Sequence, residues 1–301
     1  MNPFDIIRPA SAAVAKPAEP ITLEVTRQRG DDPFGPYVLS EQLATTVNVS
    51  LALDQPLLVT GEPGCGKTAL AWAVAAQLGC KVLEFHTKST SVARDLLYQI
   101  DSLRRFHDAS TGDAAARDPS KYLAYRALGE AIRSPVTTVV LIDEIDKAPR
   151  DFPNDLLNEL DRMEFAVPEV DPPLHFRAKA KHFVLITSNS ERRLPMPFLR
   201  RCVYAHVDFP DAATLAKIVD LHCGAPATSF AALAVERFLE LRATDGLVKA
   251  PATGELISWV RVLQRLGIGE KHLQTMPKSD LPALETMIKM VDDLRTVRRV
   301  T

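Results

Sequence analysis

The chain has 301 residues, 46% hydrophobic and 25% charged, with 36 Lys and Arg against 38 Asp and Glu. Such a chain can bury a sizeable core, as one large domain or two modest ones, and reads as an ordinary soluble globular protein. A formal net charge of -2 leaves no global positive field, so tight binding to nucleic acid or an anionic membrane would need a local patch.

Residues 1–20, "MNPFDIIRPASAAVAKPAEP", carry a run of small residues from Ser11 to Ala15 without an apolar core of signal-peptide length before it. They read as a tail and not as an address. No apolar run approaches the roughly 20 residues of a membrane-spanning helix, so no membrane insertion is expected. Cys65, Cys80, Cys202 and Cys223 lack zinc or C-x-x-C spacing and read as reduced thiols of a cytoplasmic protein.

From about Tyr37 to Phe209, short apolar runs alternate with amphipathic stretches. Pro56 to Thr60, Lys81 to Phe85, Thr137 to Asp143, His182 to Asn189 and Val203 to Phe209 are the predicted strands of a parallel sheet covered by helices on both faces. Beyond Phe209 the strand signal stops. Helical spacing continues at Leu215, Ile218, Val219 and His222, at Leu256, Ile257, Val260 and Leu263, and at Leu284, Met287, Ile288 and Val291. The fold class is therefore α/β followed by an all-helical domain. The expected divisions are a tail at 1–20, a core at 21–210 and a helical domain at 211–301. The stretch "DASTGDAAARDPSKY", rich in small and polar residues without apolar periodicity, reads as a surface insertion.

The first chemical signal is "GEPGCGKT", Gly61, Glu62, Pro63, Gly64, Cys65, Gly66, Lys67 and Thr68, between a strand and a helix that continues with Ala69. Glycines let backbone N–H groups curl around phosphate oxygens, and the helix that follows presents its positive end. Lys67 is then expected on the β and γ phosphates and the Thr68 hydroxyl on Mg²⁺. A glycine turn with a solvated lysine would match by chance in about one chain of this length in a hundred, and the strand and helix on either side favour the phosphate loop.

The strand Val139 to Ile142 ends in Asp143 and Glu144. Two carboxylates so placed emerge at the carboxyl end of the sheet, where open α/β folds bind ligands. Asp143 is expected in the Mg²⁺ shell and Glu144 as the base that deprotonates an attacking water. Asp146 and Lys147 read as solvated or paired loop residues. No N-K-x-D guanine signature follows, which favours ATP. A further strand delivers Ser188 and Asn189 to the same edge, and an amide there can donate to a phosphate and fix the water. Taken alone, an Asn after a strand is usual turn chemistry.

"GEPGCGKT", "LIDEIDKAPRDFPNDLLNELD", "ITSN" and "LPMPFLRRCVYAHVDFPD", in that order, resemble the MoxR branch of the AAA+ ATPases. The resemblance covers the chain from Tyr37 onward. It implies a P-loop αβα core with five parallel strands, an AAA+ lid, ATP with Mg²⁺ as cofactors, and Asn189 at the sensor 1 position. It also implies a homo-oligomeric ring, usually a hexamer, that remodels or matures a protein partner, often beside a von Willebrand factor A domain protein.

In such rings an arginine finger completes the neighbouring subunit's site. Here it falls in "LRRC", with Arg201 the better match and Arg200 open between a finger and a solvated helix end. A cation supplied to the γ-phosphate is worth roughly 10³ to 10⁵ in rate. Neither arginine has an acidic neighbour in sequence.

Other readings stay open. The small-Pro-Arg turn of a lid sensor 2 is replaced by "KAPATGELISWVRVL", which leaves Arg261 in doubt. No aromatic-apolar-Gly pore loop follows the second strand. Tyr98, Phe106 and the insertion either form the helix 2 elaboration of the branch, facing a pore or substrate, or Tyr98 and Leu96 pack in the core. Arg177, Lys179 and Lys181 in "HFRAKAKHF" lie on one face of a possible strand, for phosphate backbone or for solvent. Tyr37 either stacks on adenine or packs internally. A second function class, a nucleic-acid motor or loader, is disfavoured by the near-neutral charge and the lack of a nucleic-acid-binding motif. The third, a nucleotide-binding scaffold that barely hydrolyses ATP, is disfavoured by intact Lys67, Asp143, Glu144 and Asn189.

Overall fold

The computed structural model describes residues 21–23, 34–224 and 228–299; the tail expected at 1–20 lies outside them. Two compact units are formed. Described residues 41–61 and 67–207 make the first, and residues 21–23, 34–40, 62–66 and 208–299 the second. Residues 37–39 and 62–66, expected with the core, therefore group by contact with the C-terminal helices.

In chain order, a short antiparallel pair, β1 (Ile21–Leu23) and β2 (Tyr37–Leu39), belongs to the second unit. The first unit opens with α1 (Glu41–Leu53), β3 (Leu57–Gly61), α2 (Lys67–Leu78) and β4 (Val82–His86). After α3 (Arg94–Leu97), strands β5 (Tyr98–Ile100) and β6 (Leu123–Tyr125) pair antiparallel and enclose α4 (Ser102–Ser110). Then come α5 (Ala127–Arg133), β7 (Val139–Asp143), α6 (Phe152–Asp155) and α7 (Leu157–Arg162). A hairpin of β8 (Glu164–Val167) and β9 (Leu174–Arg177) leads to β10 (Phe183–Ser188), α8 (Met196–Leu199) and β11 (Val203–Val207).

Five strands form one parallel sheet in the order β11-β3-β10-β7-β4. Every residue of β3 and β10 is buried, as are four of the five in β7, which explains why they read as unbroken apolar runs. Helices cover both faces of a parallel sheet, so no alternation with polar residues survives. Each strand starts or stops within about two residues of its expected limits, where boundary assignments usually scatter. Leu58, Val140, Ile142, Val184 and Ile186 pack with Leu128, Ile132, Phe152 and Phe198 in the core of this unit.

The second unit carries α9 (Ala212–Cys223), α10 (Thr228–Arg242), α11 (Thr253–Arg265), α12 (Glu270–Thr275) and α13 (Val291–Arg299). Leu215, Val219, Phe238, Leu256, Trp259, Val260 and Leu263 are its buried centre. Trp259 donates its Nε1–H to the carbonyl of Pro282 at 2.8 Å, which satisfies the polar edge of a fully buried ring. Helical spacing at Leu284, Met287 and Ile288 does not produce the expected helix. Leu284–Thr286 is one 3₁₀ turn entered from Ala283 at φ 55°, and α13 begins only at Val291, which is exposed. Burial alone keeps Leu284, Met287 and Ile288 inward.

Candidate functional site

At the end of β3 the chain enters the glycine loop, and Lys67 opens α2. The Lys67 side chain is buried and its Nζ donates to the Gly61 carbonyl at 2.8 Å. One residue on, the Thr68 hydroxyl donates to Oδ1 of Asp143 at 3.0 Å. The sheet is what brings them together, because Thr68 and Asp143 are 75 positions apart.

Asp143 ends β7 and is flanked on both sides by register. On one side Ile186 of β10 pairs with Ile142, so Thr187 comes level with Asp143; on the other His86 of β4 pairs with Asp143 itself. The Thr187 hydroxyl donates to the same Oδ1 at 2.7 Å. His86 Nδ1 stands 3.6 Å from Oδ2, and its Nε2 lies 3.1 Å from Glu84. The backbone N–H of Glu144 donates to Thr187 Oγ1 at 2.8 Å, and Glu144 adopts a left-handed conformation at φ 56°, ψ 52°.

Both carboxylate oxygens of Glu144 are engaged. Asn189 donates its side-chain amide to Oε1 at 3.1 Å, and the Lys147 ammonium pairs with Oε2. The hydrogen bond from Lys147 to Glu144 raises the lysine's pKa above its ordinary value. Asp146, expected as a solvated or paired loop residue, is buried instead. Its carboxylate accepts the backbone N–H groups of Asn189 at 3.3 Å and Glu191 at 3.0 Å. Asn189 is thus fixed by the loop after β7 at both its backbone and its side chain.

The donor set suits magnesium. A hydroxyl and a carboxylate are hard oxygen ligands, and Mg²⁺ typically takes one or two from protein and the rest from water and phosphate. Beside them, the buried Oγ1 of Thr87 has no hydrogen-bond partner while its backbone N–H bonds the Asp143 carbonyl at 3.1 Å. Among the described residues no group of three or more His, Cys, Asp or Glu is arranged to hold a metal unaided.

Within the second unit, residues 62–66 are held on several sides. Gly64, at φ +79°, has no room for a side chain: a Cβ there would stand 2.3 Å from that of Ala252. Gly66, at φ +94°, lies under the Tyr37 ring, 3.2 Å from where its Cβ would be. Tyr37 thus packs on the loop backbone, and burial first, then the neighbouring Cys65, pushes its phenol pKa upward. Arg242, unnoticed in the sequence, binds the Glu62 carboxylate, donates to the Pro251 carbonyl at 2.6 Å and lies over the Phe209 ring at 3.7 Å. A lone Arg at a helix end gives no sequence signal for that role. Arg261 is exposed and donates to the His222 carbonyl at 3.2 Å.

The absence of an acidic neighbour around Arg201 does not survive folding. Its Nε lies 2.5 Å from Oδ2 of Asp161 at the end of α7, and its Nη1 donates to the Pro197 carbonyl at 3.1 Å. Arg200 is exposed, and no ion pair or hydrogen bond of its side chain is found among the described residues. Of the other open readings, Tyr98 packs in the core, its hydroxyl donating to Glu169 at 2.8 Å, whereas Phe106 is 76% exposed on α4. Of the cationic stripe, Arg177 ends β9 beside Glu164, Lys179 lies beyond the strand, and Lys181 pairs with Asp54; all three are exposed.

A parallel sheet in this order, with a P-loop after its second strand in space and acidic residues at the end of its fourth, is matched by one family model. Residues 56–202, a little under half of the chain, match the AAA domain of the dynein-related subfamily. The core has the P-loop AAA+ fold. Solved structures similar to this chain include a RuvB mutant of Thermotoga maritima, at TM-score 0.46 and 16% identity, with 78% of this chain and 66% of that one covered. Another is a FIGL-1 AAA domain in complex with ADP, at TM-score 0.39 and 18% identity, with 82% and 72% covered. The chain thus spans just under two thirds of the RuvB chain. No curated protein matches it. Members of the AAA family are ATPases, which supports nucleotide hydrolysis in general for this core. No described helix is long and apolar enough to cross a membrane.

Proposed function

We propose that this chain binds ATP with Mg²⁺ through residues 61–68 and hydrolyses it, and that it works as a ring of identical subunits which remodels a protein partner. The observation that supports the chemistry most is the hydrogen-bonded array from Thr68 through Asp143, Thr187 and Glu144 to Asn189. Lys67 would neutralise phosphate charge, and Thr68 and Asp143 would hold the Mg²⁺, which would supply further positive charge to the phosphates. Glu144 receives the proton of the attacking water, and Asn189 orients that water from the adjoining strand.

Arg201, or its exposed neighbour Arg200, completes the site of an adjacent subunit. The motifs quoted from the sequence carry the finer assignments: the MoxR branch, a hexamer, and a partner with a von Willebrand factor A domain. Tyr37 is the residue we assign to the adenine side, since it already lines the loop backbone at Gly66. Cys65, Cys80, Cys202 and Cys223 form no disulfide, which suits a reducing cytoplasm. The near-neutral net charge of -2 favours a protein partner over a nucleic acid.

The test is phosphate release by the purified chain with ATP and Mg²⁺, alone and with duplex or single-stranded DNA at physiological salt. Turnover that Glu144→Gln abolishes and DNA leaves unchanged is expected. Strong stimulation by DNA would replace the protein-remodelling reading with a nucleic-acid motor.

A further inference from the structure

We propose that Thr187 is the positioning residue of this site, holding Glu144 and Asp143 in register through one hydroxyl. The inference rests on the ATPase reading above. Thr187 is fully buried at 0% exposure, in a strand position where Val or Ile would satisfy the core equally well. A threonine hydroxyl, unlike either, can donate and accept at once. Here it does both: it donates to Asp143 Oδ1 at 2.7 Å and accepts the Glu144 N–H at 2.8 Å.

The second bond explains the backbone. Glu144 is a non-glycine residue at φ 56°, ψ 52°, a left-handed conformation that costs energy and persists only where the surroundings over-determine it. The Thr187 hydroxyl pins the N–H on the near side of that turn, and the Glu144 carbonyl accepts the Lys147 N–H at 2.9 Å on the far side. From that turn the Glu144 side chain accepts the Asn189 amide at 3.1 Å. Loss of the hydroxyl would leave the Glu144 N–H without this acceptor and one Asp143 lone pair without this donor.

The Asn189 backbone N–H is held separately, by the Asp146 carboxylate. Thr187 therefore acts on the two acidic residues directly and reaches the Asn189 side chain only through Glu144. That separation predicts a specific kinetic signature: slower turnover with nucleotide affinity retained.

The experiment compares the full chain with Thr187→Val, which keeps the shape and removes the hydroxyl, and with Thr187→Ser, which keeps the hydroxyl. Binding of a fluorescent ATP analogue, steady-state phosphate release and the Mg²⁺ concentration for half-maximal rate are measured. Thr187→Val is expected to bind the analogue within about threefold of wild type, to lose about 10- to 100-fold in kcat, and to require more Mg²⁺. Thr187→Ser is expected to return to within about threefold of the wild-type kcat. If Thr187→Val does not fold, Thr187→Ala against Thr187→Ser isolates the same hydroxyl.

A hydroxyl-free variant with wild-type kcat, or a serine variant as slow as the valine one, overturns the proposal while the ATPase reading stands. A wild-type chain that neither binds nor hydrolyses ATP overturns both.

Discussion

Arg201 and Asp161 form an ion pair at 2.5 Å between residues 40 positions apart, with side chains 42% and 39% exposed. A pair that open to solvent is worth roughly 0.2–1 kcal/mol. Stability alone is therefore a weak reason for a guanidinium at this position, and a phosphate, which Arg binds by paired charge-assisted hydrogen bonds, could displace the carboxylate.

Asp161→Asn is accordingly expected to change unfolding free energy by less than about 1 kcal/mol. Arg201→Ala should lower ATP turnover roughly 10³-fold in the assembled protein. Mixing Arg201→Ala with Lys67→Ala subunits should restore turnover if the guanidinium serves another subunit's site. Mixtures that co-assemble and stay inactive would refute that sharing. A large loss in Arg200→Ala with none in Arg201→Ala would exchange the roles of the two arginines.

Glu144→Gln should keep ATP bound and reduce phosphate release by at least about 10²-fold, read by nucleotide retention and by a phosphate assay on one sample. Lys147→Met removes the ammonium from Oε2 and should leave turnover at or above wild type. A drop in affinity in that variant would make Lys147 a nucleotide contact.

Gly64→Ala places a methyl 2.3 Å from the Ala252 Cβ at a φ of +79°. Steric and backbone strain of about 1–3 kcal/mol should weaken nucleotide binding about tenfold or more. Pairing it with Ala252→Gly removes the steric part and keeps the backbone part. Titration calorimetry should therefore show partial recovery, and no recovery would locate the defect outside that contact.

Asp211 caps α9 by accepting the Thr214 N–H at 2.8 Å, and that bond lowers its carboxyl pKa. Asp211→Ala should cost about 1 kcal/mol at neutral pH. The sign follows from the depressed folded value: stabilisation is complete above the unfolded pKa of about 3.9 and fades as pH falls through the lower folded one. Denaturant melts at pH 7 and pH 3 should show the gap between variant and wild type closing; a constant gap would mean the loss is not from the charged cap.

The sheet was legible because its three central strands are buried on both faces, and the phosphate loop because its glycines, lysine and threonine are contiguous. Asp143, Glu144 and Asn189 each end an apolar run, which marks the carboxyl edge without fold information. Thr187 and Asp146 were not legible in the same way. Their contacts come from lateral register between β7 and β10 and the loops that follow them, 43 to 45 residues apart, and in sequence a threonine inside "VLITSN" is simply a β-branched residue. Arg242 and Asp161 were hidden for the same reason. At Leu284 to Ile288 the apolar spacing reported burial correctly and conformation wrongly, since a 3₁₀ turn followed by irregular chain can present the same residues inward.

The β5 and β6 pair has a practical consequence. The excursion from Asp101 to Tyr122 leaves and rejoins the first unit through neighbouring strands, closed by the Asp101 N–H to the Tyr122 carbonyl at 2.9 Å. With both ends pinned, lengthening the excursion costs only about 0.6 kcal/mol per doubling. Its helix α4 buries none of its residues. Residues 111–113, exposed at its tip, are thus a natural place to splice in a fluorescent or affinity cassette that reports on the working protein.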